Sequence, residues 1–137
     1  MLSTDVPATF YVPGDTAERY PAAIRAVAAA GHQIAHHGYL HKRSDTIPEA
    51  QQRVELERGI AAISDCVGYL PKGYRSSAWE MTPDTFAMLA EFGFDYDSSF
   101  MADDRPYIEQ HGGKSILKIP VHWSLDDRTR SVGRGDL

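Results

Sequence analysis

Short β-branched and aromatic segments alternate along this chain with segments of helical length, and that alternation limits the fold more than any other feature. The segment ATFYV at 8–12 reads as a buried strand closed by Pro13-Gly14. A helical segment follows, with Asp15 as a candidate cap and Tyr20-Pro21 interrupting its beginning, and its alanine-rich run stops at Gly31. Residues 32–36 read as a second strand, and Gly38 opens a loop. Thr46-Ile-Pro-Glu49 fits a capping box. Behind it Leu56, Ile60, Ile63 and Val67 share one face of a helix that Gly68 ends. Residues 73–75 read as a third strand end, and Thr82-Pro83 reads as an N-cap with proline in the first turn. Phe86, Leu89 and Ala90 form the next apolar stripe, which Gly93 stops. Residues 94–97 and 116–121 are two further strands. Strands and helices in this order imply an α/β domain of parallel βαβ units.

One domain accounts for the length. With 137 residues and 42% hydrophobic composition the chain can bury a core. Residues 1–127 are expected to form that domain, and the polar, glycine-containing stretch 128–137 a flexible tail. A formal net charge of -5, with 14 scattered basic residues, argues against a nucleic-acid or anionic-membrane partner. No apolar run approaches the ~18 residues of a membrane span. The opening MLSTDVPATF lacks the regions of a signal peptide, so a cytoplasmic location is expected. The single cysteine, Cys66, falls at an apolar helical position and reads as a buried thiol.

Half of the 6 histidines, His36, His37 and His41, crowd into the six residues HHGYLH at 36–41, within the stretch GHQIAHHGYLHK. In a βα architecture, function collects on the loops after the C-terminal ends of strands. His37, Arg75 and Asp97 each lie at or just past such an end. His37 and His41 are four residues apart, so on a helical turn their imidazoles converge on one ion. Zinc commonly takes two histidines and a carboxylate, leaving a position for water. The bland alternative is a pair of histidines hydrogen-bonded in a polar loop, and His32 and His36 keep that reading. Arg75, in GYRSSAW, can position a carboxylate beside an apolar wall. Asp97, in YDSSF, reads as a cap, as a partner of Arg75 or as a ligand. His111, in Gln-His-Gly-Gly, reads as part of a turn and is assigned no chemistry.

Taken together, PATFYVPG, GHQIAHHGYLH, GYRSSAW, YDSSF, DDRPY and IPVHWSLDD resemble the polysaccharide deacetylase family, carbohydrate esterase family 4, in the family's order from Ala8 to Asp127. HHGYLH and YDSSF with DDRPY are most similar to its peptidoglycan deacetylase-like and allantoinase-like branch. The resemblance implies a distorted parallel β/α barrel, here partial and incomplete at both ends. It also implies a divalent metal, usually zinc, and hydrolysis of an N-acetyl group on an amino sugar. His37 and His41 match the family's metal histidines. Arg75 matches the arginine that orients the catalytic aspartate, so Arg75 and Asp97 are the catalytic candidates. Trp79 lies where an aromatic residue lines the acetyl pocket. Tyr39 and Trp123, within the matching segments, are further candidate substrate-binding residues.

The departures from the pattern are specific. The Thr-Phe-Asp-Asp segment, which supplies the family's base and third metal ligand, has no counterpart here, nor has the late Leu-x-His segment. Ser77 stands where proline is usual. The leading expectation is a metal-dependent hydrolase of non-peptide carbon–nitrogen bonds acting on a carbohydrate or small amide. Beside it stand an allantoinase-like activity on a cyclic ureide, and a catalytically inactive fragment that binds sugar or assembles with other subunits. Open sheet edges lead to the expectation of a homo-oligomer.

Overall fold

The computed structural model describes residues 6–100 and 102–122. Thr9–Val12 forms β1 and Gln33–His36 forms β2. Between them run helices α1, Gly14–Arg19, and α2, Pro21–Ala29. The break between these helices sits where Tyr20-Pro21 predicts it: Tyr20 leaves the helical region, and Pro21 starts the next helix without needing its amide. Helix α3, Glu49–Val67, ends at Gly68 in the left-handed conformation. Strand β3 is Gly73–Tyr74, α4 is Pro83–Glu91, and β4 is Tyr96–Asp97. A hairpin of β5, Tyr107–His111, and β6, Lys114–Lys118, completes the described residues.

Six strands make one sheet in the order β1-β2-β3-β4-β6-β5, parallel except for the antiparallel β5. From β1 to β4 sequential strands are neighbours, and right-handed crossovers then place every connecting helix on the same face. Apolar residues follow that rule. Val12 and Ile34 pack with Ala17, Ile24, Ile63 and Cys66 under α1, α2 and α3. Tyr74 and Ile116 pack with Leu56, Met88, Leu89 and Phe94 under α3 and α4. The opposite face is mixed, with Ile119, Pro120 and Val121 beside its polar groups. Thr9, Tyr11, Gln33, Arg75, Tyr96 and Ser98 line an open trough of about 710 Å³ there. Gly73 lies under the Tyr96 ring, where a Cβ would come within 2.0 Å of its carbon atoms. The expected α/β class with a parallel sheet is what forms, and among the described residues the sheet is an open arc with β1 and β5 at its edges.

Two local readings need correction. Thr46 does not cap α3: its hydroxyl donates to the Arg43 carbonyl at 2.8 Å within a 3-10 turn, Ser44–Thr46, and Pro48 occupies the N-cap without a side-chain bond. The reciprocal box is at α4, where Thr82 and Thr85 exchange hydrogen bonds. His111 is the last residue of β5, not part of the turn, which is made by Gly112 and Gly113 at positive φ.

His36 ties the parallel sheet to α3. It is fully buried, its Nε2 lies 3.1 Å from the Leu56 carbonyl, and its Nδ1 accepts the Gly38 amide at 3.1 Å. Those partners require the neutral ring with the proton on Nε2. α3 comes so close that a Cβ on Gly59 would sit 2.2 Å from His36 Nε2. Burial pushes the imidazole down from 6.5 to about 4. An unfolded chain therefore binds this proton between pH 6.5 and about 4, while the folded one does not. The stabilisation is complete above the upper value and is lost as pH falls to the lower, by on the order of 3 kcal/mol. Urea unfolding across this window is expected to show that slope in the wild type and a flatter one in His36→Gln. Equal slopes would contradict the assignment.

Candidate metal centre

The loop after β2 has no ladder of its own, so each amide in it needs another acceptor. His37 donates to the Val12 carbonyl at 3.2 Å, and Gly38 to His36 Nδ1. Tyr39 and Leu40 both donate to Glu55 Oε2, at 3.0 and 2.7 Å. The carbonyls are used as well: Gly38 accepts from Gly14 at 2.9 Å and Tyr39 from Asp15 at 3.1 Å, both at the start of α1. Glu55 is only 8% exposed, a carboxylate carried by α3 into the core and matched there by two amides.

This loop brings His37 and His41 together, but not on a helical turn as the four-residue spacing suggests. Residues 37–43 are irregular. His41 takes φ 59°, and that left-handed turn folds its ring back until the two centroids are 4.8 Å apart at an interplanar angle of 64°. His37 Nδ1 lies 2.6 Å from the Arg75 carbonyl. A carbonyl can only accept, so Nδ1 carries the proton and Nε2 keeps its lone pair. Burial lowers the His37 pKa, the bond to the Arg75 carbonyl raises it in part, and the neighbouring His41 and Arg75 charges lower it again, so the balance favours the neutral ring. A neutral imidazole with its second nitrogen held by a carbonyl is the form that ligates metals. Among the described residues no group of three or more His, Cys, Asp or Glu gathers at one point, so the pair offers two nitrogen donors.

Arg75 follows β3 and turns to the trough. Its Nε donates to the Ser98 carbonyl at 2.9 Å, its Nη2 to Ser98 Oγ at 2.7 Å, and the guanidinium lies 4.1 Å from the centre of the Tyr11 ring. Trp79 and His122 line the same trough. Ala78 and Trp79, at φ 56° and 60°, join His41 as the non-glycine residues at positive φ among the described residues. Such backbone costs of order 1–3 kcal/mol each and concentrates at functional loops.

Two candidates are placed elsewhere. Asp97 pairs with Lys118, not with Arg75, because β3 and β4 align Tyr74 with Asp97 and leave Arg75 level with Ser98. Side chains alternate across a sheet, so Asp97 points to the helices and Arg75 to the trough. Tyr39 also turns away. Its hydroxyl donates to Glu18 at 2.9 Å and accepts from Arg58 at 2.7 Å, and the Arg58 guanidinium covers its ring at 3.8 Å. Trp123 lies outside the described residues. The sequence reading passed over Glu55, although a signal existed. Gln52, Glu55, Leu56, Gly59, Ala62, Ile63 and Cys66 form the buried stripe of α3, and an acid on such a stripe implies a buried partner.

Glu55→Gln keeps the shape but turns an amide donor or a weaker acceptor toward the Tyr39 and Leu40 amides. Hydrogen exchange at those two amides is expected to quicken about tenfold or more, with a stability loss of about 1–3 kcal/mol. Unchanged exchange would show that the carboxylate does not hold the loop.

The polysaccharide deacetylase family model matches residues 1–96. A peptidoglycan deacetylase of Helicobacter pylori is 28% identical over 146 residues, which cover 89% of this chain and 50% of that protein. Among solved structures, a Mycobacterium smegmatis protein assigned to the polysaccharide deacetylases superposes with TM-score 0.86 at 50% identity, covering 90% of this chain and 43% of that one. The Puue allantoinase superposes with TM-score 0.78 at 35% identity, covering 86% of this chain and 39% of that one. The chain thus spans half or less of the length of these relatives. Its order of motifs, its parallel sheet and a match over well more than half of its residues agree: the chain belongs to the polysaccharide deacetylase family.

Proposed function

We propose that this chain carries the histidine and arginine side of a hydrolase of non-peptide carbon–nitrogen bonds, one that removes an acetyl group from an N-acetylated sugar. The observation that carries the reading is the His37–His41 pair, 4.8 Å apart by centroid, with the His37 tautomer fixed by Arg75. Metal dependence is general in this family. Two imidazole nitrogens beside each other suit a divalent cation that favours nitrogen, zinc first, and His37 Nε2 and the His41 ring would hold it. Bound there, the cation supplies a Lewis acid for an amide carbonyl.

The chain's own residues do the rest. The His37 ring stays neutral and oriented because its Nδ1–H has a partner in the Arg75 carbonyl. Arg75 is fixed on Ser98 and on the Tyr11 ring, so its charge is presented to the trough without a rearrangement, ready to orient a carboxylate. Trp79 gives the trough an apolar wall suited to a methyl group. Among the described residues no carboxylate joins the histidine pair as a third donor, and Glu55, beside the same loop, is occupied by the Tyr39 and Leu40 amides, which leaves an attacking water without a base there. A site without that base loses roughly 10²–10⁴-fold in rate.

Calorimetric titration with zinc is expected to show binding that His41→Ala weakens at least about tenfold. Acetate release from N-acetylglucosamine oligomers is expected to be slow, abolished by chelation and abolished in His37→Ala. Release insensitive to both would overturn the reading. Turnover of allantoin without acetate release would favour the ureide chemistry of the allantoinase relative, and zinc binding with neither activity would favour a binding role.

A further inference from the structure

We infer that the buried pair Lys118–Asp97 is a positioning device for the loops that carry His37 and Arg75, acting through Ser99, Ser76 and Ser98 and never touching substrate. The inference rests on the metal-site reading above and extends it to residues on the far face of the sheet.

Lys118 is anomalous in its sequence, a lysine inside Ile116-Leu-Lys-Ile. Its side chain is 2% exposed. Nζ lies 2.7 Å from Asp97 Oδ2 and 3.6 Å from Glu109 Oε2, between the rings of Phe86 at 4.5 Å and Phe100 at 4.8 Å. A pair this deep returns little net stability, because desolvating both charges cancels most of their attraction. Its directional bonds are another matter. Asp97 uses its second oxygen, Oδ1, to accept the Ser99 hydroxyl. That fixes the Ser99 rotamer, and Ser99 Oγ accepts the Ser76 amide at 2.8 Å. Ser98, between the two, holds Arg75 through both its carbonyl and its hydroxyl. Arg75 then presents its carbonyl to His37 Nδ1 at 2.6 Å. Every link has a donor with one acceptor. A lysine charge on the helix face of β6 is thereby connected to the tautomer of a histidine at the end of β2, three strands away in the sheet. Second-sphere partners of metal-binding histidines typically govern affinity by 10–100-fold, so about tenfold is the effect to look for.

Two variants separate positioning from simple support of the fold. Lys118→Met keeps the stem but strands the Asp97 carboxylate, so the double variant Asp97→Asn/Lys118→Met, which removes both charges, is measured beside it. Thermal melting reports the fold, titration with zinc ion alone reports the site, and nitrogen-15 NMR of the histidine rings in metal-free protein reports the His37 tautomer. The expected double variant melts like the wild type, binds zinc about tenfold more weakly and shows mixed tautomers at His37. A folded double variant with wild-type affinity and an unshifted His37 ring overturns the inference, and so does one that fails to fold, since the pair then serves the fold itself. Wild type that binds no zinc sinks the metal reading alone, because the ring spectra decide the positioning role without any metal.

Discussion

Two imidazoles can be set side by side on an irregular loop only if the loop's amides find acceptors that do not move, and Glu55 supplies them. One of its oxygens takes the amides of Tyr39 and Leu40, the two residues that separate Gly38 from His41. The carboxylate rides on α3, whose own position is fixed by close packing of Gly59 against His36. His36 in turn ends β2 and receives the Gly38 amide. The loop is therefore pinned at both sides by groups that are themselves buried. That rigidity allows His41 to occupy a left-handed conformation at modest cost, because histidine is among the residues that tolerate it best.

The sheet decides which residues act together. In parallel register, His36, Tyr74, Asp97 and Lys118 lie across from one another and face the helices. Their chain neighbours Arg75 and Ser98 face the trough. One residue of offset thus separates a buried structural row from the row that lines the cavity. The two rows are still connected, because the serines at 98 and 99 carry one contact to each face. Tyr96 illustrates the character of the trough side: burial beside Tyr11 pushes its hydroxyl up to about 12, and it donates to Gln33 at 2.8 Å.

Much of this was legible in the sequence where glycine, proline and apolar spacing mark boundaries. The ends of α2 and α3, the cap at Thr82-Pro83 and strands β1 and β2 fall within a residue or two of where those signals put them. Strand β5 gave no such signal. Tyr107–His111 has three polar residues in a row, Glu109, Gln110 and His111, and its one aliphatic side chain, Ile108, is itself exposed, so nothing in its pattern demands burial. The histidine pair was visible from its spacing, although a left-handed residue and not a helical turn makes it converge. Asp97 and Arg75 could not be told apart from sequence, since both follow short strands and only the register assigns their faces. Glu55 was hidden by chemistry: acids on helices are read as solvated unless their position on the buried stripe is weighed.

On the proposed reading, residues distant in the chain prepare His37 to bind a cation through Nε2 with His41 beside it. Nitrogen-15 NMR of the histidine side chains at neutral pH, before and after one equivalent of zinc ion, tests it directly. Without metal, His37 should carry its proton on Nδ1 and His36 on Nε2, as their carbonyl partners require. Added zinc should then shift His37 Nε2 and the His41 ring while leaving His36 and His32 in place. A His37 ring protonated on Nε2, or a zinc response at His36 or His32 with none at the His37–His41 pair, would contradict it.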